Sequence, residues 1–397
     1  MRRKITRFDV SAFFANTLVY GLNGIYAAIP IYLAAVGMSS VESGWLLAIN
    51  PLVMCFAPVL WGRLLDRAKT KNVIMAVMIL GAALAYLGIR LSSDIFWIAA
   101  MLFLYSIFQS PFNAVIDTLT VHFTDTAKRP YGFFRVMGTI GYAILALFVT
   151  FFAPSYAFVL YAVIGVFGCL SVLLMMKTPG GDSARKKADR GTLSAFFASI
   201  KPEMILLFAV TAVTQFVWGI YSNFYPTYLT GTVGLPDSMW GWFCFVTTMS
   251  EVPFFLLYSL IYRRIRTGTI LGISLGAMAL RFFLVVTVAD TLPLFIVGFF
   301  TGLFITVVNY CMTLYIMRAV EPRFLSLTQN MSYALSWGIP RVLAGVVGGY
   351  LCTALGFRNL MWAAAGLLAM TALTLLPLHR VVSSAADVIC QPETDKN

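Results

Sequence analysis

The chain has 397 residues, of which 60% are hydrophobic and 11% charged, and its mean hydropathy is +0.86. Soluble domains carry about 25% charged residues, and no soluble fold of this length hides so much apolar surface, so lipid must solvate most of it. The net charge of +12 would suit nucleic acid, but the basic residues fall in short stretches between apolar runs, and that distribution argues against a nucleic-acid partner.

In chain order, Arg2-Arg3-Lys4 precede an apolar run from Val10 to Val36. The run is too long for a signal-peptide core and has no small-residue cleavage pattern, so it reads as a first span kept in the mature protein. Runs long enough to cross a hydrocarbon core of about 30 Å fall near 9–36, 43–62, 71–91, 95–124, 132–153 and 156–176. A second set falls near 202–230, 238–262, 268–288, 292–318, 325–354 and 358–378. In lipid each span must satisfy its own backbone, so all are predicted helices. The fold class is an all-α membrane protein of twelve transmembrane helices in two pseudo-symmetric six-helix bundles.

Lys and Arg set the orientation. The amino terminus carries Arg2, Arg3, Lys4 and Arg7, and the loop after the second span carries Arg63, Arg67, Lys69 and Lys71. Loops after the fourth, eighth and tenth spans carry Lys128 and Arg129, then Arg263, Arg264 and Arg266, then Arg318 and Arg323. Alternate loops hold only Arg90 and Arg358. The positive-inside rule places both termini in the cytoplasm of a bacterial-type inner membrane.

The polar stretch from Thr178 to Pro202, with Gly180-Gly181 and Arg185-Lys186-Lys187, reads as a flexible linker. The predicted layout is a bundle over 1–177, a cytoplasmic linker over 178–201, a second bundle over 202–380 and a tail over 381–397. The halves repeat each other: Gly24-Ile25-Tyr26, Pro30-Ile31-Tyr32-Leu33 and Gly44-Trp45 correspond to Gly219-Ile220-Tyr221, Pro226-Thr227-Tyr228-Leu229 and Gly241-Trp242. The offsets are 195, 196 and 197 residues, and such duplication places one site at the bilayer midplane. The six cysteines are scattered through apolar runs and read as small hydrophobes, not as disulfides or a metal site.

A charge at the centre of a span costs about 2.5–3.5 kcal/mol on insertion scales. Asp117, Arg135, Glu251, Arg281 and Arg341 nevertheless lie inside apolar runs. One reading is structural pairing between helices, the other a polar cavity that they line. Asp117 and Glu251 are the proton-coupling candidates, because a carboxylate changes protonation between a desolvated setting and an arginine's vicinity. Arg135, Arg281 and Arg341 stay charged and serve as substrate clamps or charge partners. Three arginines against two acids would favour an anionic solute.

Gln109 and Asn113 precede Asp117 by two turns and one, roughly on its face. With Gln215, Asn223, Asn309 and Asn23 they are candidate cavity groups or interhelical hydrogen-bonding groups. Tyr26 and Trp218 are candidates for stacking on a ring. Asp66 and Arg67 are a candidate cytoplasmic gate. Pro30, Pro51, Pro111, Pro226, Pro253 and Pro340 would kink their spans. Sequence signatures of hydrolases, zinc proteases and P-loop ATPases are absent, so no cofactor, metal or enzymatic role is expected.

The residues resemble a known family. Trp61-Gly62-Arg63-Leu64-Leu65-Asp66-Arg67 resembles the Gly-x-x-x-Asp-Arg loop of the major facilitator superfamily, with Ala68-Lys69 in place of the usual Gly-Arg. Asp117 followed by Tyr131-Gly132, Arg135, Gly138 and Gly141-Tyr142 resembles the proton-symporter branch that includes lactose permease and the phenylpropionate- and nucleoside-transporter-like members. Thr247 to Pro253, around Glu251, and Arg281 resemble that branch's motifs in spans eight and nine. Span ten (Thr301-Gly302-Leu303, ending in Asn309) and Arg341 depart from it. The resemblance implies an acid–arginine pair in each half, Asp117–Arg135 and Glu251–Arg281. It also implies a monomeric secondary transporter whose partners are protons and a small polar solute, namely a carboxylate, nucleoside or sugar, taken up by alternating access. Proton-driven export of drugs or metabolites is the alternative in the same fold, and a non-transporting membrane sensor or scaffold is a third reading.

Overall fold

A computed structural model describes residues 5–179, 200–262, 267–287 and 324–375, together with 296, 298, 308, 311, 312, 315–321 and 381. Side chains of 66, 253–262, 267–270, 286, 326, 327 and 330 are outside the description. The described residues are helical, with an isolated bridge of extended backbone between Thr70 and Pro179.

The first span comprises α1 (Arg7–Tyr26) and α2 (Ile29–Ala35), and the second α3 (Ser40–Met54) and α4 (Ala57–Arg67). Then come α5 (Lys71–Ile89), α6 (Ile95–Gln109), α7 (Phe112–Ala127), α8 (Tyr131–Val149) and α9 (Ala157–Leu174). The second half holds α10 (Pro202–Thr227), α11 (Asp237–Tyr262), α12 (Thr267–Thr287), α13 (Leu325–Ser332), α14 (Ile339–Leu355) and α15 (Phe357–Thr374).

Eight described segments are long and apolar enough to cross a membrane: Arg7–Ala35, Ser40–Leu65, Lys71–Ile89, Ile95–Ala127, Tyr131–Val149, Pro154–Leu174, Pro202–Thr232 and Tyr333–Leu355. The protein is therefore a multi-pass helical membrane protein. Of the other four predicted spans, 238–262, 268–288 and 358–378 correspond to α11, α12 and α15. The fourth, 292–318, lies largely outside the described residues.

Prolines set where the spans break. Pro30 stands at the start of α2, where Ile31 N–H donates to Ala28 and not to Ala27. The Ala27 carbonyl so released accepts the Trp240 indole N–H at 3.0 Å. Pro111 separates α6 from α7. It has no N–H for the carbonyl four residues back, Ile107, and the Trp61 indole donates to that oxygen at 2.7 Å. An unsatisfied carbonyl in lipid costs several kcal/mol, so each tryptophan answers a proline on another helix. Trp61→Phe keeps the ring but loses the donor. It is expected to destabilise the protein by about 1–3 kcal/mol, read as a lower melting temperature in detergent, while Trp97→Phe, whose indole serves the more exposed Gly88 carbonyl, changes it less.

Two compact units divide the chain, Met1–Ala184 with Ser222–Met249, and Arg185–Tyr221 with Ser250–Asn397. In the first, α1 lies along α8 and α9, and α5 packs on α6 and α9. Its core includes an aromatic cluster of Tyr86, Tyr105, Tyr161 and Phe158. Asn72, buried at the start of α5, donates to the Val172 and Met176 carbonyls at 2.9 and 3.3 Å and accepts Thr178 N–H at 2.9 Å. It thereby ties the end of α9 to α5. In the second unit α12 packs on α15.

Candidate functional site

The first unit carries a polar seam where α1 runs against α6 and α7. Residues of α1 at spacings of three, four and seven meet residues in and just after the fourth span in descending order, the pattern of two antiparallel helices zipped along one face. At the end nearest the amino terminus Arg129 binds Asp9 at 2.7 Å. Next, buried Asn16 donates to Thr120 at 2.9 Å. Tyr20 donates its hydroxyl to Asp117 Oδ1 at 2.8 Å. Asn23 donates to Asn113 Oδ1 at 3.1 Å and accepts from Gln109. Finally, the Tyr26 ring stacks on Tyr105 with centroids 5.0 Å apart.

Asp117 is the chemical centre of this seam. Arg135 Nε lies 3.7 Å from its Oδ1, with the two side chains 39% and 33% exposed, so the pair is loose and only partly buried. The guanidinium also lies over the Tyr20 ring at 4.4 Å, and Tyr131 is near enough to both charges to interact with them electrostatically. One acid, one arginine and the Tyr20 phenol therefore form a charge-balanced cluster, with Tyr131 nearby. The acid–arginine pairing implied for this half is present. Sequence reasoning misses Tyr20, Asn16 and Thr120, although their spacing relative to Asn23, Asn113 and Asp117 carries the signal.

The second unit carries Arg281, Arg341 and Glu251. Arg281, on α12, is 3% exposed and ringed by Tyr221, Phe282 and Trp218 at 4.5, 5.1 and 5.4 Å. Aromatic faces stabilise a desolvated cation by about 2 kcal/mol or more. Arg341, in the first turn of α14, donates its Nε–H to the side-chain Oε1 of buried Gln215 at 3.0 Å and lies 5.0 Å over Trp337. Trp218 packs on Tyr221, and Glu251 is half-buried on α11. Among the remaining candidates, Asn223 is half-buried on α10 and Arg67 is exposed in the last turn of α4. The Asp66 side chain and the whole of Asn309 lie outside the described residues.

Comparison with known proteins agrees with this architecture. The profile described as MFS_1 like family matches residues 19–362. The chain is 24% identical over 328 residues to the uncharacterized transporter YwbF of Bacillus subtilis (strain 168), covering 79% of this chain and 78% of that one. It is 26% identical over 112 residues to the putative nucleoside transporter YegT of Escherichia coli (strain K12), covering 28% and 26%. Maltose permease of Geobacillus stearothermophilus matches at 25% over 154 residues, covering 38% and 39%. Among solved structures, a point mutant of nucleoside transporter NupG superposes with a TM-score of 0.81 at 17% identity, covering 93% of this chain and 99% of that one. A bacterial homolog of the human lysosomal transporter Spinster gives 0.68 at 13%, covering 97% and 98%. These structures share the fold. The chain belongs to the MFS_1 like family and is a membrane transporter of the major facilitator superfamily, not an enzyme.

Proposed function

We propose that this chain is a proton-coupled importer of a small polar organic solute, working by alternating access with twelve helices and both termini in the cytoplasm of a bacterial inner membrane. The observation that carries the reading is Asp117, a carboxylate kept inside an apolar span and held by Tyr20 and Arg135. A carboxylate in such a place is costly unless it is used. A carboxylate can exist with or without a proton, whereas the neighbouring guanidinium stays charged, so in this reading Asp117 is the member of the pair that carries the proton. Glu251 is its counterpart in the second half. The relatives named as nucleoside transporter and maltose permease support a polar organic cargo.

The test is uptake by proteoliposomes under an imposed pH gradient. Acid outside should drive solute inward in the wild type. Glu251→Gln should lose accumulation against a gradient while keeping solute exchange at equal concentrations. Undiminished accumulation by that variant removes Glu251 from the coupling, and outward movement under the same gradient turns the reading to export.

A further inference from the structure

The amides beside Asp117 form a chain with one fixed direction, and its direction identifies a solute subsite. Ser106 donates its only hydroxyl proton to the Leu102 carbonyl at 2.6 Å. Its oxygen is left to accept, so Asn50 must turn its amide nitrogen toward it, as it does at 3.2 Å. The same nitrogen donates to Gln109 Oε1 at 3.2 Å. Gln109 therefore presents its own nitrogen to Asn23 Oδ1, and Asn23 presents its nitrogen to Asn113 Oδ1 at 3.1 Å. A backbone carbonyl thus sets the orientation of four carboxamides. The series ends on Asn113, which is exposed and whose amide oxygen is taken by Asn23. What Asn113 has left to offer is N–H, and hydrogen bonds in series polarise each other, making the last donor stronger.

One turn further along α7, on the same face, Asp117 offers the opposite character, a carboxylate that accepts. We infer that Asn113 and Asp117 form a donor–acceptor pair that binds adjacent hydroxyl groups of a neutral solute, as in a sugar ring, free or within a nucleoside. Asn113 N–H donates to one hydroxyl oxygen, and the neighbouring hydroxyl donates to Asp117. An anionic solute is disfavoured here: Asp117 repels it, and Arg135 already serves that acid and the Tyr20 face. In the second unit, Arg281 is enclosed by rings and Arg341 engages Gln215. The charge count that suggests an anionic cargo from the sequence is thus outweighed by how these charges are engaged. This inference rests on the transport reading above; Asp117 enters both, as the coupling carboxylate there and as the hydroxyl acceptor here, and Asn113 belongs to recognition alone.

The experiment is equilibrium binding to the purified full-length protein in detergent, without any gradient, using uridine, dideoxyuridine, maltose and 3-phenylpropionate at up to millimolar concentration. Uridine or maltose is expected to bind, and which of them does so identifies the source of the diol. Dideoxyuridine and phenylpropionate are expected not to bind. Asn113→Ala should weaken diol binding by about tenfold, the size of one hydrogen bond to a well-placed donor. Asn50→Leu, remote from the solute, should weaken it less, and each variant's melting temperature verifies that it is folded. Binding of phenylpropionate alone, equal binding of uridine and dideoxyuridine, no binding of either diol, or an unchanged affinity in folded Asn113→Ala overturns the inference. Intact diol binding with no response to a pH gradient would instead sink only the coupling proposal.

Discussion

Gly141→Leu is expected to yield no monodisperse folded protein. A Cβ built on Gly141, in the middle of α8, would overlap the Thr17 carbonyl oxygen, with the Thr17 carbonyl carbon 2.7 Å and its Cα 2.8 Å away. These are backbone atoms of α1 and cannot rotate aside as a flexible side chain does. The contact is reciprocal, because a Cβ on Gly24 would overlap the Tyr142 carbonyl. Membrane helices associate through such close small-residue contacts, without a hydrophobic force between them. Added carbon would push α1 off α8 and dismantle the seam that holds Asp117 and Asn113. Overpacking typically costs about 1–3 kcal/mol, and displaced backbone puts Gly141→Leu above that range. Gly141→Ala should lower the melting temperature by roughly 2–10 °C. Gly132→Ala, on the same helix with open space around it, should leave it unchanged. Size-exclusion profiles and thermal melts in detergent check all three, and a normal melt for Gly141→Leu would contradict the α1–α8 packing.

Asp117→Asn is expected to abolish solute accumulation while leaving the protein folded. The substitution is nearly isosteric, and an amide oxygen can still accept the Tyr20 hydroxyl that now reaches Oδ1 at 2.8 Å. What disappears is the negative charge and the ability to carry a proton. Arg135 loses its counter-charge at 3.7 Å, but both groups are about a third exposed, so the stability cost should stay near or below about 1 kcal/mol. Transport under an imposed pH gradient should fall to the level of empty vesicles, and its pH dependence should vanish. Binding of a diol solute should weaken as well, since a carboxamide accepts a hydroxyl proton less strongly than a carboxylate. Near-normal accumulation by Asp117→Asn would mean that the proton travels by another group.

What is legible in the residues follows from which physical constraint acts along the chain and which acts across it. Long apolar runs must be helices in lipid because each then satisfies its own backbone, so most spans, the loops between them and the duplication can be read directly. Pro30 and Pro111 can be read as breaks for the same reason, since a missing N–H is a local property, whereas Pro51 and Pro226 lie inside α3 and α10. That Trp61 and Trp240 answer the carbonyls exposed near Pro111 and Pro30 cannot be read this way, because each indole lies many residues away on another helix.

Residue chemistry alone dictates the class of protein, its membrane-crossing helices and the identity of the intramembrane charges, because hydropathy and the cost of a charge in hydrocarbon are properties of single residues. Which groups meet is settled by packing: Asn16 with Thr120, Tyr20 with Asp117, Asn23 with Asn113, and Arg281 with a cage of rings. Those pairings depend on the register and rotation of packed helices, and a one-residue change in register turns a helix by about 100°, enough to swing a polar face from its partner toward lipid.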